Sequence, residues 1–379
     1  MKRILGMLLL LTLVWACSSD NSPTVDPPEE SKPDVEEVSF ARGPMLINWA
    51  DNIIIPSYES FSEEMSGLTA SFETFKTDAS TTNLVAFREA WLSAYKSWQH
   101  VALFEIGPAE IADLRFSMNT YPTDTAKIEE HMASGTYDLT LSSNRDAKGF
   151  PALDYLINGL EVGDQEIVSK YNGADKDALI AYVETVLTDM KIRSDQVLAT
   201  WKDSYRATFI ANDGASATAS VDRFVNDYIF YFEKFLRAGK MGIPLGVFSG
   251  SPLPEKVEAV YKGDISKTLF LEGLQAVQDF FNGTHFSSSV SGESLASYLD
   301  ALNSVKDGED LKAAINDQLN ASREMVGALN TFRDEIENNS PPTNMLLAYD
   351  EVQRIVPLLK VDMVSAMSIS IDFVDADGD

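Results

Sequence analysis

The stretch "NLVAFREAWLSAYKSWQHVALFEIGP", at positions 83–108, decides the fold class. Apolar side chains recur along it every three or four residues, which is the spacing of one face of an α-helix. This stripe consists of Leu84, Phe87, Trp91, Ala94, Tyr95, Trp98, Val101 and Ala102. Gly107 and Pro108 predict the end of the helix, because glycine takes the left-handed cap and proline cannot extend the helix. The stretch therefore predicts a long amphipathic helix packed against a core.

The same helical period recurs further along the chain. It governs positions 178–205 and 220–246, and it predicts further helices at about 254–260, 266–281, 293–305, 309–338 and 345–366. The closing "SISIDFV" alternates briefly like a strand, and no βαβ rhythm is seen. Roughly 340 residues is long for one core, so the sequence predicts an all-α fold with two bundle-like domains, at 40–250 and 251–379.

The N-terminal segment predicts export and a lipid anchor. Lys2 and Arg3 precede a short apolar run, which is typical of a secretory signal at 1–16. Cys17 follows "LVWA", which resembles a bacterial lipobox and implies cleavage before this cysteine and acylation of its thiol. An ordinary signal followed by an unrelated cysteine is the alternative. Positions 17–39 are acidic and proline-rich, with little to bury, and predict a disordered tether.

The charge balance limits the partners. The chain carries 58 acidic and 30 basic residues, for a formal net charge of −28. Such a charge disfavours nucleic acid and anionic lipid surfaces as partners. It suits an extracytoplasmic protein, where it serves either solubility alone or the attraction of cations. The single cysteine excludes an intrachain disulfide.

Common catalytic motifs are missing from the sequence. It contains no H-E-x-x-H, no phosphate-binding loop, no G-x-S-x-G and no C-x-x-C. Its three histidines are His100, His131 and His285, so a conventional histidine-rich zinc site is hard to build. His100 points off the apolar stripe of its helix, which predicts a solvent-facing histidine rather than a metal ligand.

The segment "KGFPALDYLING", at 148–159, predicts a helix start that carries one acid. Pro151 suits the first helical turn, where its missing N–H group costs nothing. Asp154 lies one turn further on the same face. The apolar side chains of the segment, which can be buried, are Phe150, Leu153, Leu156 and Ile157.

Five stretches together resemble the imelysin-like lipoproteins, a family filed among the metallopeptidases. They are "AWLSAYKSWQHVALFEIGP", "FSMNTYPTDTAKIEEHMASG", "KGFPALDYLING", "FEKFLRAGKMGIPLGVFSG" and the closing "DFVDADGD". The resemblance implies two four-helix bundles with a site where they meet. It also implies a role near bacterial iron or metal uptake at the cell envelope.

The sequence departs from the family pattern where that family carries G-x-H-x-x-E. Gly149 matches, but Pro151 stands in the histidine position and Asp154 in the glutamate position. Proline has no lone pair to offer a metal. The resemblance therefore implies that Asp154 is a hydrogen-bonding residue or an oxygen ligand of a metal, rather than half of a histidine–carboxylate pair.

The resemblance also supplies a set of candidate ligand-binding residues near Asp154, between the two halves of the chain. Since buried charges persist only when paired, we expect an arginine to face Asp154. The candidates are Gly149, Pro151, Asp154, Glu105, Arg115 and Arg237.

The leading functional hypothesis is a non-enzymatic lipoprotein of the outer membrane that binds a metal ion or an iron complex. Its expected partners are the membrane, through Cys17, and an outer-membrane uptake receptor. Two alternatives remain, a structural or partner-docking lipoprotein and a metallopeptidase. The peptidase requires a metal-bound water and a base, which three scattered histidines do not readily supply.

Overall fold

The structure is a computed structural model that describes residues 40–372. The predicted signal, the lipidation site Cys17 and the tether lie outside the described residues. The described residues belong to one compact unit, and one hydrophobic core draws side chains from both sides of position 250. The domain boundary proposed at that position stays a prediction. Within 40–372, no helix is long and apolar enough to cross a membrane.

Helices form most of the described chain, which confirms the all-α prediction. The α-helices are α1 Arg42–Asn48, α2 Ile55–Thr77, α3 Thr81–Gln99, α4 Pro108–Ile111, α5 Leu114–Met118, α6 Thr125–Ser134, α7 Gly149–Asp154, α8 Asp164–Tyr171, α9 Lys176–Thr200, α10 Arg206–Ala211, α11 Ser220–Phe230, α12 Ile243–Leu245, α13 Ser266–Asn282, α14 Leu295–Ala301, α15 Leu311–Gly327, α16 Phe332–Glu337, α17 Thr343–Gln353, α18 Ile355–Pro357 and α19 Val364–Ala366. A two-stranded antiparallel hairpin joins β1 Val305–Lys306 to β2 Glu309–Asp310.

Wider and tighter helical turns connect several of these helices. The π-helical segments are Trp49–Ile54, Tyr155–Gly159, Trp201–Tyr205, Tyr231–Gly242 and Leu358–Met363, and the 3-10 segments are Ser142–Ala147 and Pro254–Lys256. Helices α1 and α2, α9 and α10, and α11 and α12 therefore each form one continuous helical run. Helix α2 packs along α3 and α9, whereas α15 packs along α13 and α17.

The apolar stripe predicted on positions 84–102 is confirmed, because all eight of its side chains are buried. Ser80 caps α3, since its side chain accepts a hydrogen bond from the backbone N–H of Asn83. The predicted end of this helix is wrong. Helix α3 ends at Gln99, and Gly107 and Pro108 open α4 instead.

Gly107 packs closely against a side chain from a distant part of the chain. Its φ angle is +54°, and a Cβ atom there would lie 2.1 Å from the ring of Tyr205. The chain between α3 and α4 thus turns under that ring, in a conformation that only glycine adopts without strain.

Three predictions for the second half of the chain also need correction. Positions 309–338 form a hairpin strand and two helices, because the chain breaks after α15 and Thr331 caps α16 anew. At 254–260, only a 3-10 turn forms, and an irregular loop follows it. The strand expected near the C-terminus is absent from the described positions 367–372.

An aromatic cluster ties the N-terminal helices to α11 and α13. The rings of Phe224 and Phe280 stack with centroids 4.5 Å apart, and Trp49 lies 4.8 Å from Phe280. These rings are buried, and they bring together helical segments that lie far apart along the described chain. The cluster fixes α11, and with it the long π-helical segment that follows.

Candidate functional site

The segment at 148–159 begins a helix, as the sequence predicts. Gly149 opens α7 with a φ angle of +73°, and a Cβ atom there would lie 2.2 Å from the carbonyl oxygen of Met118. Glycine is therefore required where α7 meets α5. Pro151 is buried in the first turn, and Phe150 stacks on Tyr95 with ring centroids 4.4 Å apart.

Asp154 is buried, but the expected arginine does not face it. Its carboxylate accepts hydrogen bonds from the backbone N–H groups of Tyr261 and Lys262, at 2.9 and 3.0 Å. The side-chain amide of Asn158 donates a third, at 3.0 Å. Burial raises the pKa of Asp154 to about 7, while these N–H donors pull it downwards. Backbone dipoles thus fill the role that the sequence analysis gave to an arginine.

Asp154 holds an irregular loop, which we call the 257–263 loop. Ala259 and Gly263 have φ angles of +53° and +77°, so the loop turns sharply at both ends. Arg333 donates a hydrogen bond to the carbonyl oxygen of Val260 at 3.0 Å and braces the loop from the opposite side. The loop carries Glu258 into the protein interior, where its side chain is fully buried.

Glu258 forms a buried ion pair with Lys240, whose Nζ lies 2.5 Å from Oε2. The other carboxylate oxygen accepts a hydrogen bond from the side-chain amide of Asn119 at 2.7 Å and lies 3.1 Å from the Tyr95 hydroxyl. Burial lowers the pKa of Lys240, and the charge of Glu258 opposes that effect. The network links α3, α5 and the long π-helical segment to the 257–263 loop.

A second buried ion pair lies next to this network. Arg115 is 4% exposed, and its guanidinium binds Asp227 in bidentate fashion, at 2.9 and 2.8 Å. Its Nε donates to the carbonyl oxygen of Ala102 at 2.8 Å. The guanidinium also lies over the rings of Tyr231 and Phe235, at 5.4 and 4.9 Å from their centroids. We call this the Arg115–Asp227 pair.

Glu105 completes the second pair through backbone contacts. Its carboxylate accepts the backbone N–H of Arg115 at 2.9 Å, and its own N–H donates to Asp227 at 2.9 Å. Burial raises the pKa of Glu105 to about 7, although the charge of Arg115 opposes this shift. The structure thus brings together the predicted site residues Glu105 and Arg115.

Arg237 has a different set of partners. Its guanidinium donates to the hydroxyl of Tyr349 at 2.7 Å and to the side chain of Gln353. Glu233 lies 3.9 Å away and is also held by Lys360 at 3.1 Å. These contacts fasten α17 to the π-helical segment Tyr231–Gly242, so Arg237 joins two helices rather than facing Asp154.

Two cavities flank the Arg115–Asp227 pair. The inner cavity has a volume of about 20 Å³ and is lined by Trp98, Gln99, Ala102, Arg115, Asn119, Tyr121, Tyr231, Phe235 and Lys240. The outer pocket has a volume of about 190 Å³ and is lined by Glu105, Ile106, Glu110, Arg223, Asn226, Asp227, Phe230 and Asp372. The pair therefore lies between a very small inner cavity and a larger acidic pocket that is open to solvent.

The inner cavity has the size and polarity of a site for one water molecule. The buried hydroxyl of Tyr231 has no hydrogen-bond partner among the described residues. A buried hydroxyl without a partner is costly, and a bound water molecule removes that cost. The inner cavity is too small for a larger ligand, so of these two cavities only the outer pocket has room for one.

Asp227, Lys240 and Glu258 were missed by the sequence analysis. Asp227 follows Phe224 by three positions, so it stands on the buried stripe of α11. A charged residue on an apolar stripe was the signal that could have identified it. Glu258 carried no such signal, since it lies in an irregular loop whose path depends on Asp154.

The described residues offer no conventional metal site. Within 40–372, no three or more His, Cys, Asp or Glu side chains lie close enough to hold a metal ion together. Asp154, predicted as a metal ligand, instead uses its oxygens to accept three N–H groups. This geometry offers Asp154 no second protein ligand with which to hold a metal.

The chain matches a family model described as imelysin over residues 54–356. Among solved structures, it is similar to a protein assigned as an iron-regulated protein A precursor from Parabacteroides distasonis, with a TM-score of 0.68 and 15% identity over 85% of this chain and 95% of that one. It is also similar to an imelysin-like protein from Psychrobacter arcticum, with a TM-score of 0.67 and 15% identity over 88% and 97% of the two chains. No curated protein matches the sequence.

Proposed function

The chain belongs to the imelysin family, and we propose that it is an outer-membrane lipoprotein that binds a cationic ligand, a metal ion or a metal complex, without cleaving peptides. We further propose a link to iron uptake, since one structural neighbour is assigned as an iron-regulated protein. The outer pocket beside the Arg115–Asp227 pair is the proposed binding site.

One observation carries this proposal, namely that four of the five stretches resembling the family meet around one ion pair. The first stretch contributes Glu105 and Ile106 to the outer pocket, and the closing stretch contributes Asp372. The first, second and fourth stretches supply most of the inner lining, including Gln99, Asn119 and Lys240, behind the same pair. Sequence stretches far apart in the chain thus converge on one place that solvent can enter.

The charge of the outer pocket favours a cation. Four carboxylates line it, and its lining includes one cation, Arg223, which pairs with Glu110 at 2.8 Å. The guanidinium of Arg115 is already neutralised by Asp227. Because the described carboxylates do not converge tightly enough to hold a bare ion, the ligand retains its own water or chelating ligands. The carboxylates then accept hydrogen bonds from that ligand shell.

Titration calorimetry with hexaamminecobalt(III) and with hydrated Mn²⁺ tests this site, because both probes present N–H or O–H donors and positive charge. We expect Glu105→Gln and Glu110→Gln to weaken binding about tenfold each, on the order of 1.4 kcal/mol. Glu63→Gln is the matched control, since Glu63 is an exposed acid on α2. Equal affinity in all three variants would rule out the outer pocket.

The lipid anchor is tested separately, since Cys17 lies outside the described residues. We expect Cys17→Ser to prevent acylation and to move the protein out of the membrane fraction. Unchanged membrane fractionation of this variant would contradict the anchor, and it would leave the cation-binding proposal to stand on its own measurement.

A further inference from the structure

A third pocket has neither Arg115 nor Asp227 in its lining, and two of the three histidines line it. It has a volume of about 520 Å³ and opens between the end of α3 and the chain that follows α13. His100 and His285 face it together with Asp279 and Ile53. We call it the imidazole pocket.

The environment of His100 is that of a metal-ligating histidine. Its Nε2 atom lies 3.1 Å from Oε2 of Glu272, and Lys96 holds the other oxygen of that carboxylate at 2.9 Å. A carboxylate that accepts the proton on Nε2 leaves the lone pair of Nδ1 free. A histidine that binds a metal through one ring nitrogen commonly donates the N–H of the other to a carboxylate that does not touch the metal. The His100 side chain is 23% exposed and lines a pocket, so the choice between a solvent-facing histidine and a metal ligand stays a prediction.

The loop after α13 brings His285 to the same pocket. The backbone N–H of Phe286 donates to the carbonyl oxygen of Asn52 at 2.8 Å, which fastens the loop to the N-terminal helical run. The N–H of His285 donates to the carbonyl oxygen of Val290 at 2.8 Å and closes the loop on itself. The ring of Phe286 packs edge-on against His100, with centroids 5.9 Å apart. His285 therefore sits next in sequence to a residue that touches His100.

We propose that the imidazole pocket binds a transition-metal ion that keeps part of its own ligand shell, with His100 and His285 as the protein ligands. Imidazole nitrogen suits zinc, copper, nickel and iron ions. Since no three His, Cys, Asp or Glu side chains within 40–372 could hold an ion together, the remaining coordination positions belong to water or to a chelating molecule. The pocket has room for such a complex, because its volume far exceeds that of a bare ion.

Asp279 supports this assignment from the wall of the pocket. Its carboxylate is oriented by the side-chain amide of Gln275 at 2.7 Å. In this position, it can accept a hydrogen bond from a metal-bound water. The remaining histidine, His131, has no such setting, because it stacks on Tyr137 and its Nδ1 lies 3.3 Å from the hydroxyl of Tyr182.

The nickel–nitrilotriacetate complex is the probe for this site, because its chelator leaves two coordination positions to water. Calorimetry on the purified full-length protein should give at least tenfold weaker binding for His100→Ala and for His285→Ala. The nickel absorption bands should shift on binding to the unchanged protein, as imidazole replaces water. Glu272→Gln should weaken binding by about 10- to 100-fold, since it removes the carboxylate that orients His100.

His131→Ala is the matched control and should bind as the unchanged protein does. Circular dichroism of each variant separates lost binding from lost fold, and His285 lies in a surface loop where truncation leaves the helices intact. The proposal is overturned if the folded His100→Ala and His285→Ala variants bind with unchanged affinity, or if His131→Ala weakens binding equally. Hexaamminecobalt(III) has no exchangeable position that an imidazole could take, so its affinity should be unchanged in His100→Ala and His285→Ala, which separates this site from the outer pocket.

Discussion

Asp154 and Glu105 are both buried carboxylic acids, and burial raises the pKa of each to about 7. Their surroundings differ. Asp154 is buried, and its oxygens accept three N–H groups, two of which belong to the backbone of the 257–263 loop. Glu105 accepts one backbone N–H group and lines a pocket that is open to solvent. A carboxyl group with a raised pKa therefore anchors a loop in one place and lines a candidate binding site in the other.

This comparison assigns structural support and candidate ligand binding to different residues, whereas the sequence motif places both at Asp154. The G-x-H-x-x-E position points to Asp154, yet the structure gives that residue a scaffolding role, because the 257–263 loop delivers Glu258 to Lys240. The proposed ligand-binding pocket lies instead beside the Arg115–Asp227 pair. In this chain, the motif position anchors a loop, and a solvent-open pocket lies beside the buried Arg115–Asp227 pair instead.

The largest effect is expected from breaking the Arg115–Asp227 pair. Arg115→Met leaves the mostly buried Asp227 without its bidentate partner and should lower the free energy of unfolding by about 4 kcal/mol. Urea denaturation monitored by circular dichroism measures this loss. The matched control is Arg223→Met, which breaks a half-exposed pair and should cost less than about 1 kcal/mol. Similar losses of unfolding free energy in both variants would mean that the buried pair contributes no more to stability than the half-exposed pair.

The next largest effect should come from releasing the 257–263 loop. Asp154→Ala removes the acceptor of two backbone N–H groups and should cost about 3 kcal/mol, whereas Asp154→Asn retains one oxygen and should cost about 1 kcal/mol. Asp203→Ala, at an exposed position, is the control. Hydrogen exchange should locate the loss at 257–263. Unchanged protection of those amides in Asp154→Ala would show that Asp154 does not hold the loop.

The pH dependence of stability should reflect both carboxyls. The pKa of each is raised on folding from about 4 to about 7, so the folded state binds more protons between these values. Stability is therefore greatest below about pH 4 as far as these groups are concerned, and it is lost as the pH rises towards 7. Each group contributes a slope of up to about 1.4 kcal/mol per pH unit. The free energy of unfolding, measured by denaturation between pH 5 and 8, should change less with pH in Asp154→Asn and in Glu105→Gln than in the unchanged protein. The same pH dependence in all three proteins would contradict this assignment.

A smaller effect is expected on cation binding. Because Glu105 gains a proton as the pH falls through about 7, the affinity for hexaamminecobalt(III) should drop by severalfold between pH 8 and pH 6. Glu105→Gln should remove most of that dependence, while Asp154→Asn should keep it. Calorimetry at the two pH values gives the ratio directly, and an unchanged ratio in Glu105→Gln would assign the proton to another group.

We expect the protein not to cleave peptides. Zinc-dependent hydrolysis needs a metal-bound water held by about three protein ligands, and the family's histidine position is occupied by Pro151. Unstructured casein with added zinc should therefore remain intact. Cleavage that disappears in Asp154→Asn and persists in Glu63→Gln would overturn the non-enzymatic proposal.

The helical scaffold could be predicted from the sequence because it rests on local periodicity. The buried stripe of α3 and the helix start at Gly149 follow from spacing and from the backbone preferences of glycine and proline. The end of α3 at Gln99 did not follow, and neither did the contact of Gly107 with the ring of Tyr205 from a distant part of the chain. Tertiary contacts of this kind leave no mark on the local pattern.

The site was predictable only in part, for the same reason. Glu105 and Arg115 were identified from the stretches around them, and they do contact each other. Their partner Asp227 and the pair of Lys240 with Glu258 depend on how distant helices and one loop come together. Which buried acid meets an arginine and which meets backbone amides is decided by packing, not by spacing along a helix.

The central claim is that Glu105 serves ligand binding and Asp154 serves the architecture. Measuring hexaamminecobalt(III) affinity and the free energy of unfolding on the same samples of Glu105→Gln and Asp154→Asn tests it most directly. We predict that Glu105→Gln loses about tenfold in affinity without loss of stability at pH 8, and that Asp154→Asn loses about 1 kcal/mol of stability with unchanged affinity. The reverse pattern, with affinity lost in Asp154→Asn and retained in Glu105→Gln, would contradict it.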